Sequence, residues 1–353
     1  MKNILVLGGT GAMGKHMVKL LAERGNKVSV TTRSVHKSTT NIEYLQGNAR
    51  DSGFIDPLLA KKWDAIVDFM VYSTSVFEHR APKLLSATEQ YIFLSSARVY
   101  ANSEKPLTEE SPLLLDTSDD IEFSATDEYS LAKARQENIL REAKTKNWTI
   151  IRPYITYSDE RLQLGVLEKE YWLYRALKGR TIVFSKDIAT KLTTMSHGLD
   201  VANAMTELTG NPVALGEVYH ITQNQAVTWN EVLNVYLNVL EKHLGVRPKV
   251  LFLDSFDFSR INQSRYQIKY DRLYNRVFNS SKIHNIVGAE SFRSFEQGLT
   301  DCLEQFIKNP EYLMIDWRAE AVKDRFTGEV AKLTEPLSWK QKIKYLLYRF
   351  IKR

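Results

Sequence analysis

The sequence predicts an α/β fold, a doubly wound parallel sheet followed by a smaller, mostly helical C-terminal region. Two observations carry this prediction. At the start of the chain an apolar run of strand type, 4–7, meets Gly8, Gly11 and Gly14, and a helix follows over 15–24. In that helix Met17, Leu20 and Leu21 recur at helical spacing. The second observation is a rhythm. Strand-like runs at 28–32, 43–46, 63–70, 90–96 and 148–152 alternate with helical segments around 53–62, 76–88 and 127–146. Such alternation predicts parallel strands joined by right-handed crossovers, with helices on both faces.

The glycine turn is the first candidate site. Small residues let the backbone approach a pyrophosphate, and the unpaired N–H groups of the first helical turn point at it. Gly8, Thr10, Gly11, Ala12, Met13 and Gly14 are the residues so placed. Open parallel sheets bind ligands beyond the carboxyl ends of their strands. Ser95 and Ser96 end the fifth strand-like run, so they are expected to share a crevice with the turn.

Beyond about 155 the rhythm changes: loops lengthen, aromatics become denser, and helical segments at 168–178, 228–244 and 291–308 lose their matching strands. Thr228 and Glu231 form a capping box for the middle one. The organisation expected is a dinucleotide-binding domain over 1–157, with returning elements within 180–225. A substrate-binding region over 158–335 and a basic amphipathic helix over 336–353 follow.

Composition bounds the function. The chain has 353 residues, enough for a large core and about two domains. Hydrophobic residues make up 43% and charged residues 25%, as in a globular protein, and no apolar run reaches the length of a membrane span. The short run 4–7 is no secretory leader. Cys302 is the single cysteine, which excludes an intrachain disulfide and fits a cytoplasmic setting. No zinc-ligand spacing occurs, so no metal is expected. The net charge of +6 suits an anionic partner.

Tyr129 and Lys133 are the main candidates for chemistry. A spacing of four puts both side chains on one helix face. A phenol titrates near 10, too high for a base at neutral pH, and a neighbouring ammonium lowers it. The pair could then move a proton at a carbinol oxygen while a nicotinamide moves the hydride. Tyr174 with Lys178 and Tyr348 with Lys352 share the spacing. Only Tyr129 opens a helix some 30 residues after a strand ending in Ser95-Ser96, so the other two read as packing aromatics with solvated lysines.

Gly8, Gly11 and Gly14, the run Ser95-Ser-Ala-Arg-Val-Tyr100, and Tyr129 with Lys133 together resemble the extended short-chain dehydrogenase/reductases of the NAD-dependent epimerase/dehydratase family. The resemblance is specific over 1–157 and looser to about 225, through 195–202 and 216–222. It implies a Rossmann-type sheet and a nucleotide-sugar substrate. It also implies that Ser96 polarises the substrate oxygen, Tyr129 is the acid/base, and Lys133 holds the nicotinamide ribose. Alignment selects Ser96 over Ser95 by a single position; either could merely cap the strand end. Ser95, Arg98 and Tyr154 are the further positions near the substrate. His197 and Asp200 read as packing and capping residues.

Four departures from the family pattern matter. Thr32 and Arg33 stand where NAD-binding members carry an acidic residue; Arg33 could pair with a 2′-phosphate, which favours NADP over NAD. Asn48, with Ala49 beside it, replaces an aspartate near the adenine. Ala97-Arg98 replaces the Asp-Glu pair of the sugar 4,6-dehydratases, which argues against that reaction. Arg152-Pro-Tyr-Ile155 replaces Arg-Tyr-Phe-Asn, and Phe69 and Met70, expected at the cofactor, replace small residues.

The run 338–353 has no acidic residue, and Trp339, Ile343, Leu346, Leu347, Phe350 and Ile351 share a helical face. This fits a terminal helix docked on its own domain, the preferred reading, or a helix lying on an anionic inner-membrane surface.

The sequence thus predicts an NAD(P)-dependent epimerase or oxidoreductase acting on a nucleotide-activated sugar. A homodimer is compatible with the family. One alternative is an NADPH-dependent ketoreductase of another small carbonyl compound. The other is a non-catalytic RNA-binding or assembly protein, since the second strand also looks similar to the branch holding chloroplast stem–loop RNA-binding proteins. The intact Ser96, Tyr129 and Lys133 weigh for an enzyme and against nucleic acid as partner.

Overall fold

A computed structural model describes residues 1–351. Lys352 and Arg353, and with them the Tyr348–Lys352 spacing and the end of the basic segment, lie outside the described residues. The chain divides into two units.

The first unit comprises Met1–Thr156, Thr194–Gln225 and Val277–Arg293. Its centre is a seven-stranded sheet. The strands are β1 (Asn3–Leu7), β2 (Lys27–Thr32), β3 (Ile42–Gln46), β4 (Ala65–Asp68), β5 (Tyr91–Leu94), β6 (Trp148–Pro153) and β7 (Glu217–Ile221). Their order is β7-β6-β5-β4-β1-β2-β3, and every pairing is parallel. The order reverses between β1 and β4, the place where an open parallel sheet leaves a crevice at its carboxyl edge.

Alternation along β1 shows why both faces carry helices. Ile4 and Val6 join one apolar cluster, and Leu5 and Leu7 the other; all are fully buried. On the first face α1 (Gly14–Glu23) brings Met17, Val18 and Leu21. The second face is covered by α2 (Ser52–Leu59), α3 (Thr74–Ser86) and α4 (Tyr129–Arg141), through Ile55, Phe77, Leu84 and Leu140. A fifth helix, α5 (Gly198–Leu208), packs on α1's face through Val201 and Met205. His197 caps α5 by accepting from the Leu199 N–H at 3.0 Å, and Asp200 pairs with Arg293 at 2.9 Å. The expected strand 90–96 stops at Leu94 and the helix 127–146 runs only from Tyr129 to Arg141. Val277–Arg293 also belongs to this unit, a return with no local sequence signal.

The second unit comprises Tyr157–Thr193, Ala226–Arg276 and Ser294–Arg353. The helices Lys169–Leu177, Trp229–Leu244, Phe295–Lys308 and Trp317–Thr327 dominate it, and Thr228 and Glu231 form the expected capping box. It also contains a short parallel pair, Ile182–Ser185 with Val250–Leu253. The sequence rhythm hides this pair because each strand is only four residues long. Arg175 is buried and binds Glu320, Asp324 and Glu329 at 2.9, 2.7 and 2.9 Å. Tyr174 donates its hydroxyl to Glu335 at 2.8 Å and packs edge-on against Trp317. Its place is in packing, with the Lys178 ammonium over its ring.

Candidate functional site

The turn after β1 is built by its glycines. Gly8 has φ +70°, a conformation costly for any side chain, and a Cβ there would meet Met70 Sδ at 2.9 Å. Its N–H donates to Thr31 Oγ1 at 3.0 Å, tying the turn to β2. Gly14 is needed for close approach: a Cβ would lie 2.7 Å from the Gly9 carbonyl. At Gly11, which is exposed, a Cβ would meet nothing within 4 Å, so this side of the turn is open. No side chain caps α1 and no acidic residue stands in its first turn, leaving its positive end facing the turn. Ala12 and Met13 are half-buried, and Met13 leans on the core of the α1 face.

A cavity of about 360 Å³ opens beside this turn. Gly8, Thr10, Arg33, Asn48, Ala49, Phe69 and Met70 all line it, together with Arg50 and Val71. Arg33 is exposed at the rim, just past Thr32, where β2 ends. The turn carrying Asn48 is held from below: buried Arg80 donates to the carbonyls of Ala49 at 2.7 Å and Arg50 at 2.9 Å. Asn48 itself accepts from the Arg50 N–H at 3.1 Å.

A second cavity, about 540 Å³, shares Arg50 and Val71 with the first and is also lined by Tyr72, Ser73, Val76, Asp127, Tyr129, Ala132 and Lys133. The two cavities adjoin at Arg50 and Val71, which line both and are themselves linked, Arg50 Nη2 donating to the Val71 carbonyl at 3.4 Å.

Tyr129 starts α4, and Lys133 lies one turn on, as the spacing requires. The Tyr129 ring is half-buried under the Arg98 guanidinium, 5.1 Å from its centroid, and Arg98 also pairs with Glu128 at 2.6 Å. Lys133 is almost fully buried. Its Nζ donates to the Leu94 carbonyl at 2.7 Å and sits 4.4 Å from the Phe93 ring centroid. Burial pushes the Lys133 ammonium down to about 8, against the opposing pull of Asp68 and Glu137. Asp68, at the end of β4, is wholly buried and accepts from Tyr91 Oη at 2.8 Å, Tyr72 Oη at 3.1 Å and the Met70 N–H at 2.9 Å. Burial raises its carboxyl above the ordinary value, and the hydrogen bonds and the Lys133 charge oppose that rise.

Lys133 therefore predicts a pH signature. Between about pH 8 and the ordinary lysine value of 10.5, the unfolded chain holds a proton here that the folded chain has lost. Stability then rises with pH across this window at this position. Lys133→Met removes that contribution, so the gain in urea midpoint from pH 8 to pH 10 is expected to shrink in the variant. An unchanged gain would mean that Lys133 titrates outside the window.

The remaining candidates divide. Ser96 is buried, accepts from the Arg98 N–H at 3.2 Å as the cap of a short turn, and lines neither cavity. Ser95 turns inward and donates to Glu137 Oε1 at 2.5 Å. Tyr154 is buried against Phe278, with ring centroids 5.3 Å apart. The structure thus places Gly8, Thr10, Arg33, Asn48, Ala49, Phe69, Met70, Tyr129 and Lys133 around two adjoining cavities, leaves Gly11, Ala12, Met13 and Gly14 in the turn beside the first, and buries Ser95, Ser96 and Tyr154 in the fold. Sequence reasoning missed Arg50, Tyr72, Ser73 and Asp127. Asp127 lies two residues before Tyr129 and accepts from the N–H of Thr74, the first residue of α3, at 2.9 Å, beside the cap Ser73. An acidic residue just ahead of a helix was the available signal.

Residues 4–222, more than half of the chain, match the NAD dependent epimerase/dehydratase family, and the chain belongs to it. One relative is the chloroplast stem-loop binding protein of 41 kDa b of Arabidopsis thaliana, 25% identical over 334 residues, 85% of this chain and 83% of that protein. Among solved structures, dTDP-glucose 4,6-dehydratase of Bacillus anthracis, in complex with NAD, superposes with a TM-score of 0.66 at 20% identity, covering 88% of this chain and 98% of that one. UDP-glucose 4-epimerase of Bifidobacterium longum, in complex with NAD+ and UDP, gives 0.64 at 19% identity, covering 87% and 99%. Both structures share the fold with this protein.

Proposed function

We propose that the protein is an NAD(P)-dependent epimerase or reductase acting on a carbinol or keto group of a nucleotide-activated sugar. Two adjoining cavities, one beside the glycine turn and one lined by Tyr129 and Lys133, carry this reading. The residues fit a dinucleotide: the turn is open at Gly11, the end of α1 is uncapped, and Arg33 and Asn48 stand at the adenosine end. When bound, the nicotinamide would supply or accept the hydride.

In this reading the chain's own groups move the proton. Tyr129 Oη exchanges it with the substrate oxygen. Arg98, over its ring, and Lys133, one turn along, stabilise the phenolate that develops. Lys133 also holds the ribose, and Ser96 acts on the substrate oxygen through its own hydroxyl proton, which accepting from the Arg98 N–H leaves available. Ala97 and Arg98 offer no carboxylate for eliminating water, and Arg98 is engaged with Glu128, so we favour epimerisation or ketoreduction over 4,6-dehydration. Arg33, where an acid would repel a 2′-phosphate, favours NADP.

Incubation with UDP- and dTDP-hexoses and their keto forms, followed by chromatography of products and absorbance of reduced cofactor, tests the proposal. An epimer formed without net cofactor change identifies an epimerase; stoichiometric cofactor oxidation identifies a reductase. Gly14→Ala forces the first turn of α1 off the glycine turn and is expected to weaken dinucleotide affinity at least about tenfold, equivalent to 1.4 kcal/mol. Calorimetric titration checks this.

The match to a stem-loop binding protein over most of both chains favours a second reading, a non-catalytic RNA-binding role. No turnover on any sugar, with RNA affinity that survives Lys133→Ala, would select it.

A further inference from the structure

The helix Trp339–Leu346 and the turn Leu347–Ile351 after it have no place in the reaction. Tyr345 is fully buried and docks the helix on its own unit: its hydroxyl donates to Asp324 at 2.6 Å and accepts from the Ala331 N–H at 2.7 Å. The docked side leaves the opposite one outward. Trp339, Ile343 and Leu346, spaced by four and three, form a ridge that is 66%, 45% and 37% exposed. Leu337 before it and Phe350 and Ile351 after it are more exposed than Ile343. Lys340 and Lys344 flank the ridge on one side, Lys344 lying 3.7 Å from Asp316, and Lys342 flanks it on the other; Arg349 turns back to its own unit, donating to the Glu329 carbonyl at 3.1 Å, and no acidic residue lies in 338–351.

We propose that this ridge is a peripheral docking surface for an anionic lipid bilayer. Apolar side chains in the middle of a helix face with cations along both edges match the interface, where the ridge enters the acyl boundary and the cations meet headgroup phosphates. Docking and membrane contact, alternatives from sequence, use opposite sides of one helix. A second copy of the chain fits less well, since a two-fold contact would press lysine flank against lysine flank. Nucleic acid would leave the ridge in water. No helix among the described residues is long and apolar enough to cross a membrane, so the contact is superficial.

The test uses the full chain with vesicles of phosphatidylcholine alone or mixed equally with phosphatidylglycerol. The other five of six tryptophans are buried, so a change in emission reports on Trp339. The proposal expects co-sedimentation with the mixed vesicles only, loss of binding in high salt, and a blue shift of the emission. W339E/F350E, which keeps Tyr345, should abolish binding while leaving the thermal midpoint unchanged. K340Q/K342Q/K344Q should weaken it at least about tenfold. No binding to mixed vesicles, equal binding to both kinds, or binding untouched by W339E/F350E would overturn the proposal. So would a dimer that W339E/F350E converts to monomer without affecting sedimentation, or retention on RNA in place of vesicles.

Discussion

Tyr129→Phe is expected to lower turnover by about 10²- to 10⁴-fold, the usual contribution of a positioned acid/base, while dinucleotide affinity stays within about twofold. The hydroxyl is the atom proposed to exchange the proton, and the ring, under Arg98 and at the start of α4, is kept by phenylalanine. If Tyr129 merely packed against Arg98, the change would cost little in rate. Single-turnover kinetics with bound dinucleotide separate the outcomes: a slowed hydride step with unaltered binding supports the acid/base role. An unaltered step would assign the proton transfer elsewhere.

The second large effect is on stability. Glu137, two turns along α4 from Tyr129, is wholly buried and accepts from Arg152 Nε at 2.9 Å, Arg152 Nη2 at 2.5 Å and Ser95 Oγ at 2.5 Å. Arg152 also donates to the Glu109 carbonyl at 3.0 Å and lies over the Tyr100 ring, 4.7 Å from its centroid. Burial alone would lower the arginine's pKa, but the Glu137 charge raises it above the ordinary value, so Arg152 stays charged at any working pH. Glu137→Ala would strand that charge. Breaking a buried pair in this way costs about 3–5 kcal/mol, which in a unit of this size lowers the thermal midpoint by roughly 10 °C. Replacing both partners, Glu137→Leu with Arg152→Met, is expected to recover a large part of the loss because no uncompensated charge remains. Calorimetry of the three proteins checks this; a double variant less stable than Glu137→Ala would refute the pairing argument.

These two residues show where the sequence can and cannot be read. Gly8, Gly14 and α1 are legible because their causes are local: a positive φ, a close backbone contact, and apolar residues at helical spacing. The sheet is legible because its strands are separated by helices of ordinary length. Arg33, Asn48, Phe69 and Met70 were reached through resemblance, each standing at a strand end. Glu137 was not, because a polar residue in mid-helix reads as a solvated face until Arg152, on β6, is brought against it. Arg80 was hidden for the same reason: its carbonyl partners lie some thirty residues earlier. Ser95 and Ser96 differ by one position in a strand end, and only the third dimension turns one toward Glu137 and the other onto the 97–99 turn.

The most direct test of the account is on the cofactor. The purified protein would be denatured in part to identify any dinucleotide carried through purification, and the rest titrated with NADH and NADPH. The account predicts binding of a reduced dinucleotide at one site per chain, weakened by Gly14→Ala, with NADPH preferred and the preference lost in Arg33→Ala. Binding of neither dinucleotide would contradict it, since the cavities lined by Gly8 and by Lys133 would then serve no hydride chemistry.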